Sequence, residues 1–121
     1  MLNSNDVGLE TLLDLNGQAY CLDNGYWVKF EAWRVAANEQ IPHGIRYSLT
    51  LHDRRNHRII GFDNAHSCPN PRSKKFVGRR IVWDHRHHLG ETVSPYEYES
   101  AAQLIEDFWA EVERILQGVV P

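Results

Sequence analysis

A chain of 121 residues, 42% apolar and 24% charged, is sized for one domain with a modest core and is too apolar to be disordered. No window approaches the ~18 continuous apolar residues of a spanning helix, and Met1-Leu2-Asn3-Ser4-Asn5-Asp6 lacks the basic and apolar regions of a signal peptide, so a cytoplasmic protein without membrane contact is expected. The net charge of −3 conceals a basic centre: residues 43–88 hold ten of the thirteen Lys/Arg and all seven His against only Asp53, Asp63 and Asp84, while both flanks are acidic.

Such a centre suits phosphate contact and acid–base chemistry, and it equally suits a solvated basic surface. Cys21 and Cys68 stand far apart without CxxC spacing, so free thiols are expected.

In chain order, Leu9, Leu12, Leu13 and Leu15 fit a helical turn about as well as a strand, and the first sixteen residues stay unassigned. Gln18 to Leu22 reads as a strand, and Asp23-Asn24-Gly25 as a tight turn into a second strand over Tyr26 to Ala36. There Val28, Phe30 and Ala32 take the core face, while Trp27, Lys29, Glu31 and Trp33 take the other. Asn38 to Gly44 is polar, broken by Pro42 and Gly44, and is expected to be a loop.

Ile45 to Asp53 alternates Ile45, Tyr47, Leu49 and Leu51 with Arg46, Ser48, Thr50 and His52, the pattern of a half-buried strand. A polar connection at Arg54-Arg55-Asn56-His57 leads into an antiparallel partner, Arg58 to Ala65. Pro69, Pro71, Arg72, Lys74 and Lys75 make Ser67 to Gly78 an exposed loop by expectation. Arg79 to His87 reads as a strand, Leu89 to Pro95 as a loop, and Tyr96 to Glu99 as a short edge strand.

Ser100-Ala101-Ala102-Gln103 matches a capping box, and Leu104, Ile105, Phe108, Trp109, Val112, Ile115 and Leu116 recur at helical spacing up to a stop at Gly118. Glu106, Asp107, Glu111 and Glu113 are expected to face water or a basic partner. These elements imply a single two-layer α+β domain, an antiparallel meander sheet packed against a long C-terminal helix. One helix covers one sheet face, so the aromatic second face needs the N-terminal segment, a partner chain or self-association in a homodimer to cover it.

Two strings stand out inside the basic centre, Gly61-Phe62-Asp63-Asn64-Ala65-His66 and Trp83-Asp84-His85-Arg86-His87-His88. The first string and Asp84-His85-Arg86-His87 within the second, together with residues 25–32, 42–53 and 102–116, make the chain resemble the TumE family from about Leu12 to Leu116. These are small bacterial proteins regarded as toxins of type II toxin–antitoxin modules, partnered by a helix-turn-helix antitoxin. The resemblance implies a growth-inhibiting toxin, one TumE-like domain over the whole chain, neutralised by a protein partner.

The chemistry is read from the residues themselves. Cleavage of RNA by its own 2′-OH needs a base, an acid and cations for the phosphorane charge. His66 and His85 are the candidate base and acid, with Asp63 or Asp84 orienting an imidazole. Lys29, Arg46 and Arg86 are candidates for holding the phosphate, and Tyr47 or Trp83 for stacking a base. No cofactor is needed on this reading.

A divalent metal is the alternative, with Asp63, His66, Asp84, His85 and His87 as ligands for Mg²⁺, Mn²⁺ or Zn²⁺. A third reading is non-catalytic, a basic aromatic face that inhibits its target by docking. Asp53 with Arg54-Arg55 reads as a turn, and Asn64 as a residue satisfying backbone groups at a strand end.

Overall fold

The computed structural model describes residues 8–37, 44–64, 76–84 and 90–118. Its strands are β1 (Ala19–Cys21), β2 (Trp27–Arg34), β3 (Ile45–His52), β4 (Arg58–Asp63), β5 (Phe76–Asp84) and β6 (Gly90–Tyr98). They form one sheet in sequence order with every neighbouring pair antiparallel, flanked in sequence by helices α1 (Leu9–Asp14) and α2 (Ala101–Gln117). This is the α+β meander with a long C-terminal helix that the alternation and the capping box imply.

Local chemistry explains the main elements. Asn24 and Gly25 take positive φ of 64° and 78°, which closes the turn between β1 and β2. Ser100 is extended and its Oγ accepts from the Gln103 N–H at 3.2 Å, so α2 starts where its cap is satisfied. Gln103 Oε1 in turn accepts from the Glu99 N–H at 2.7 Å, one residue earlier than in a standard capping box.

From α2, Leu104, Phe108 and Val112 descend fully buried onto Val28, Phe30, Leu49, Leu51, Ile60 and Phe62. The Phe108 ring meets Phe30 and Phe62 edge-on, with centroids 5.5 and 5.8 Å apart. Each such side chain contributes about 1.5–3 kcal/mol of burial before entropy is subtracted.

Four expectations change. The described part of the N-terminal segment does not cover the second sheet face: α1 packs beside α2 and β2, and Leu9 and Leu12 join the same core as Phe108. Among the described residues, then, both helices lie on one face. Second, residues 90–95 are not a loop but the first two-thirds of β6, a continuous edge strand in which Pro95 stands opposite Arg79. Proline is admitted there because an edge residue need not donate an N–H to a second neighbour. Third, β5 begins at Phe76, earlier than the Arg79 expected.

Fourth, the acidic side of α2 is partly spent inside the molecule. Glu111 accepts from Arg80 at 2.8 Å and from Arg114 at 2.7 Å, and Asp107 accepts from the Tyr96 hydroxyl at 2.6 Å. Burial and then that carboxylate hold the Tyr96 phenol well above its ordinary range. The expected loops over Asn38–Gly44 and Ser67–Gly78 fall largely on residues 38–43 and 65–75, outside the described residues, as does Cys68; Cys21 is an exposed free thiol.

Candidate functional site

Pleating sends alternate residues to opposite faces, and the register lines them up across strands. On the face away from the helices, Trp27 stands opposite His52, Lys29 opposite Thr50, Trp33 opposite Arg46, and Gly61 opposite Ile81. Asp63 pairs with Arg79 on the same face, and Trp83 lies two residues along from Ile81. Three of the four tryptophans therefore share this face with Lys29, Arg46, Arg58 and Arg79.

At one end of the face the contacts are aromatic. The Trp27 ring lies flat on His52, 4.0 Å between centroids and 11° between planes. His52 Nε2 is 2.9 Å from Thr50 Oγ1, and the imidazole is only 7% exposed with no partner for Nδ1. Burial first, then the Arg58 and Lys29 charges, lower its pKa, so it is neutral at pH 7. Beside it, Arg58 approaches the Trp83 ring at 6.0 Å from the centroid. Gly61 lies under that indole: a Cβ there would stand 3.1 Å from two of the ring carbons, so any side chain would push the indole off the sheet by a few tenths of an ångström.

The other end is polar. Arg79 Nε donates to Asp63 Oδ1 at 2.8 Å, with both side chains less than a third exposed. One residue on, the Asn64 side chain takes over from the strand: its Oδ1 accepts from the Tyr47 N–H at 3.0 Å and its Nδ2 donates to the Ile45 carbonyl at 2.7 Å. Asn64 thus continues the β3–β4 ladder where the backbone leaves it, the structural role expected of it.

The connection between these strands is likewise the turn expected at Asp53. Asp53 Oδ1 accepts from the Arg55 and His57 N–H groups, and its Oδ2 is 3.1 Å from His57 Nδ1. Burial alone would raise its carboxyl pKa, but these hydrogen bonds, led by the His57 backbone, take it below the ordinary value.

Of the residues expected in the site, Lys29, Arg46, Asp63 and Trp83 come together on this one face. Tyr47 does not. It points to the helix side, 1% exposed, where its ring meets Tyr98 edge-on, and so it is removed from the base-stacking role. Burial and then Tyr98 hold its phenol well above the ordinary pKa.

The register also separates the two acidic positions. Asp63 ends β4 opposite Arg79, whereas Asp84 ends β5 five residues further along, on the order of 17 Å at the usual rise per residue. Asp63 and Asp84, the last residues of β4 and β5, thus stand at opposite ends of these two strands. The side chain of Asp84, and His66, His85, Arg86 and His87 entirely, lie outside the described residues. Among the described residues no group of three His, Cys, Asp or Glu side chains is placed to hold a metal.

Sequence reasoning missed Arg79, Arg58 and His52. Alternation alone puts His52 on the Thr50 face and Arg79 with Ile81, but only the strand register brings them beside Trp27 and Asp63.

Comparison with curated proteins and with solved structures finds no match. The family described as Toxin TumE matches residues 8–116, which takes in every described element of the sheet and nearly all of α2. The chain therefore belongs to the TumE family, toxins that imply an antitoxin partner.

Proposed function

We propose that this toxin arrests growth by acting on RNA across the open face of its sheet, as a small ribonuclease that needs no metal. The observation that carries the reading is the meeting of Trp27, Trp33 and Trp83 with Lys29, Arg46, Arg58 and Arg79 on the one face that no described helix covers. Single-stranded RNA is bound by that combination, bases on aromatic rings and phosphates on cations. In a cytoplasmic setting a cognate helix-turn-helix antitoxin would neutralise the chain.

His66 and His85 are the proposed base and acid, assisted by Asp63 and Asp84, with Arg86 on the phosphate. His66→Ala and His85→Ala are each compared alone with the wild-type protein. The test is incubation of the purified protein with labelled RNA, with and without EDTA, followed by analysis of the fragment ends. Cleavage that survives EDTA and leaves 2′,3′-cyclic phosphate supports the reading. Loss of cleavage with EDTA transfers it to metal-assisted hydrolysis through Asp63, His66, Asp84, His85 or His87. Binding without cleavage would make the protein a docking inhibitor.

A further inference from the structure

The aromatic end of the open face has more structure than general RNA contact requires. Three neighbouring strands contribute Trp27, His52 and Arg58 in one row, His52 being the Cα partner of both the others. A one-residue irregularity in the β3–β4 pairing at Leu51/His52 brings Arg58 into that row, where its guanidinium reaches the Trp83 ring. Trp83 itself lies over Gly61, which also has the Thr50 methyl beside it, and Thr50 Oγ1 is within hydrogen-bond distance of the His52 ring.

Two indoles thus lie on a flat floor of imidazole, threonine and glycine, with Arg58 between them and Lys29 two residues along β2 from Trp27. Both indoles are half-buried, which fixes them while leaving part of each ring exposed. The charge favours an anion: Lys29 and Arg58 stand here against Glu31, which pairs with Lys29 at 3.5 Å on the side away from Arg58. A planar apolar ring beside a cation is the chemistry of a nucleobase followed by its phosphate.

We propose that Trp27 and Trp83 form a base-stacking subsite for single-stranded RNA, with Arg58 on the intervening phosphate, Lys29 on a phosphate beside Trp27, and His52 as the positioning residue that holds Trp27 flat. The subsite lies at the Asp84 end of β5. It rests on the RNA reading above and specifies where on the face the bases are held.

The experiment measures fluorescence anisotropy of a short labelled 2′-O-methyl oligoribonucleotide, which cannot cleave itself, and of its abasic counterpart. Wild-type protein should bind the base-bearing strand more tightly than the abasic one. Trp27→Ala and Trp83→Ala should each weaken the base-bearing strand roughly 5- to 150-fold and leave the abasic strand unchanged. Trp27→Phe should recover most of the loss, which separates lost stacking from lost folding. His52→Gln should narrow the same base-against-abasic gap, a readout that a general loss of stability does not move.

Arg58→Gln should weaken both strands and flatten the dependence on salt. If Trp27→Ala and Trp83→Ala bind the base-bearing strand as wild type does, the subsite is wrong and the RNA reading survives. If wild type binds neither strand, both fall.

Discussion

Asp63 and Arg79 are Cα partners across the β4–β5 ladder, and their side chains close an ion pair of 2.8 Å on the open face. The pair ties the strand that carries GFDNAH to the first half of β5. It also gives a candidate catalytic carboxylate a fixed arginine partner, so that the two charges act as a unit.

If they do, the substitutions should not add. Asp63→Asn and Arg79→Gln should each reduce growth inhibition, and the double variant should be no weaker than the worse single one. Each single change should cost about 1–3 kcal/mol of stability, because it strands a partly buried charge. Growth curves and urea midpoints for the four proteins check this; additive losses of activity would show that Asp63 and Arg79 contribute separately.

His52 makes stability depend on pH. Its folded pKa lies below the ordinary value of about 6.5, so in the window beneath 6.5 the unfolded chain binds the proton more readily than the folded one. The contribution is therefore complete above pH 6.5 and is lost as pH falls through that value toward the folded pKa. The urea midpoint should drop between pH 7 and pH 5, and His52→Phe, which keeps a flat ring under Trp27 but cannot titrate, should drop less. An equal fall in both proteins would assign the effect to other groups.

Asn64 tests how much of the GFDNAH string is structural. Asn64→Ala leaves the Tyr47 N–H and the Ile45 carbonyl without the groups that satisfy them, and should cost about 2–3 kcal/mol. Asn64→Asp keeps the acceptor for Tyr47 but loses the donor to Ile45, and should fall below wild type as well. Growth inhibition should follow the amount of folded protein in both variants. A stable Asn64→Ala protein that has lost toxicity would instead assign Asn64 to the chemistry.

The sequence makes the sheet legible where period-two alternation is unbroken, as in Val28-Phe30-Ala32 and Tyr47-Leu49-Leu51, and makes α2 legible because Ser100, Leu104, Phe108 and Val112 fall in helical order. It fails at β6, where Pro95 imitates a loop and only the edge position explains its tolerance. It fails at Tyr47 for the opposite reason. The alternation already set that residue with Leu49 and Leu51, but an aromatic amid basic residues invited a functional role. The candidate site depends on strand register, which no local pattern carries, and so the meeting of Trp27, His52 and Arg58 and the separation of Asp63 from Asp84 emerge only in the fold.

The last expectation concerns Gly78, which sits in β5 on the helix side beneath Tyr47. A Cβ at this position would run into the Tyr47 hydroxyl and would stand 2.9 Å from the Asp63 carbonyl oxygen. The phenol is locked by its packing against Tyr98, so it has little room to retreat. Gly78→Ala should therefore destabilise the protein by about 1–3 kcal/mol, the usual range for overpacking. Removing the hydroxyl removes the harder collision, so Tyr47→Phe should recover part of that loss in the double variant. The Asp63 carbonyl contact remains, and recovery should stop short of wild type. Thermal denaturation of the two single variants and the double variant measures the coupling; a double variant no better than Gly78→Ala alone would place the obstacle at the backbone of Asp63 rather than at the phenol.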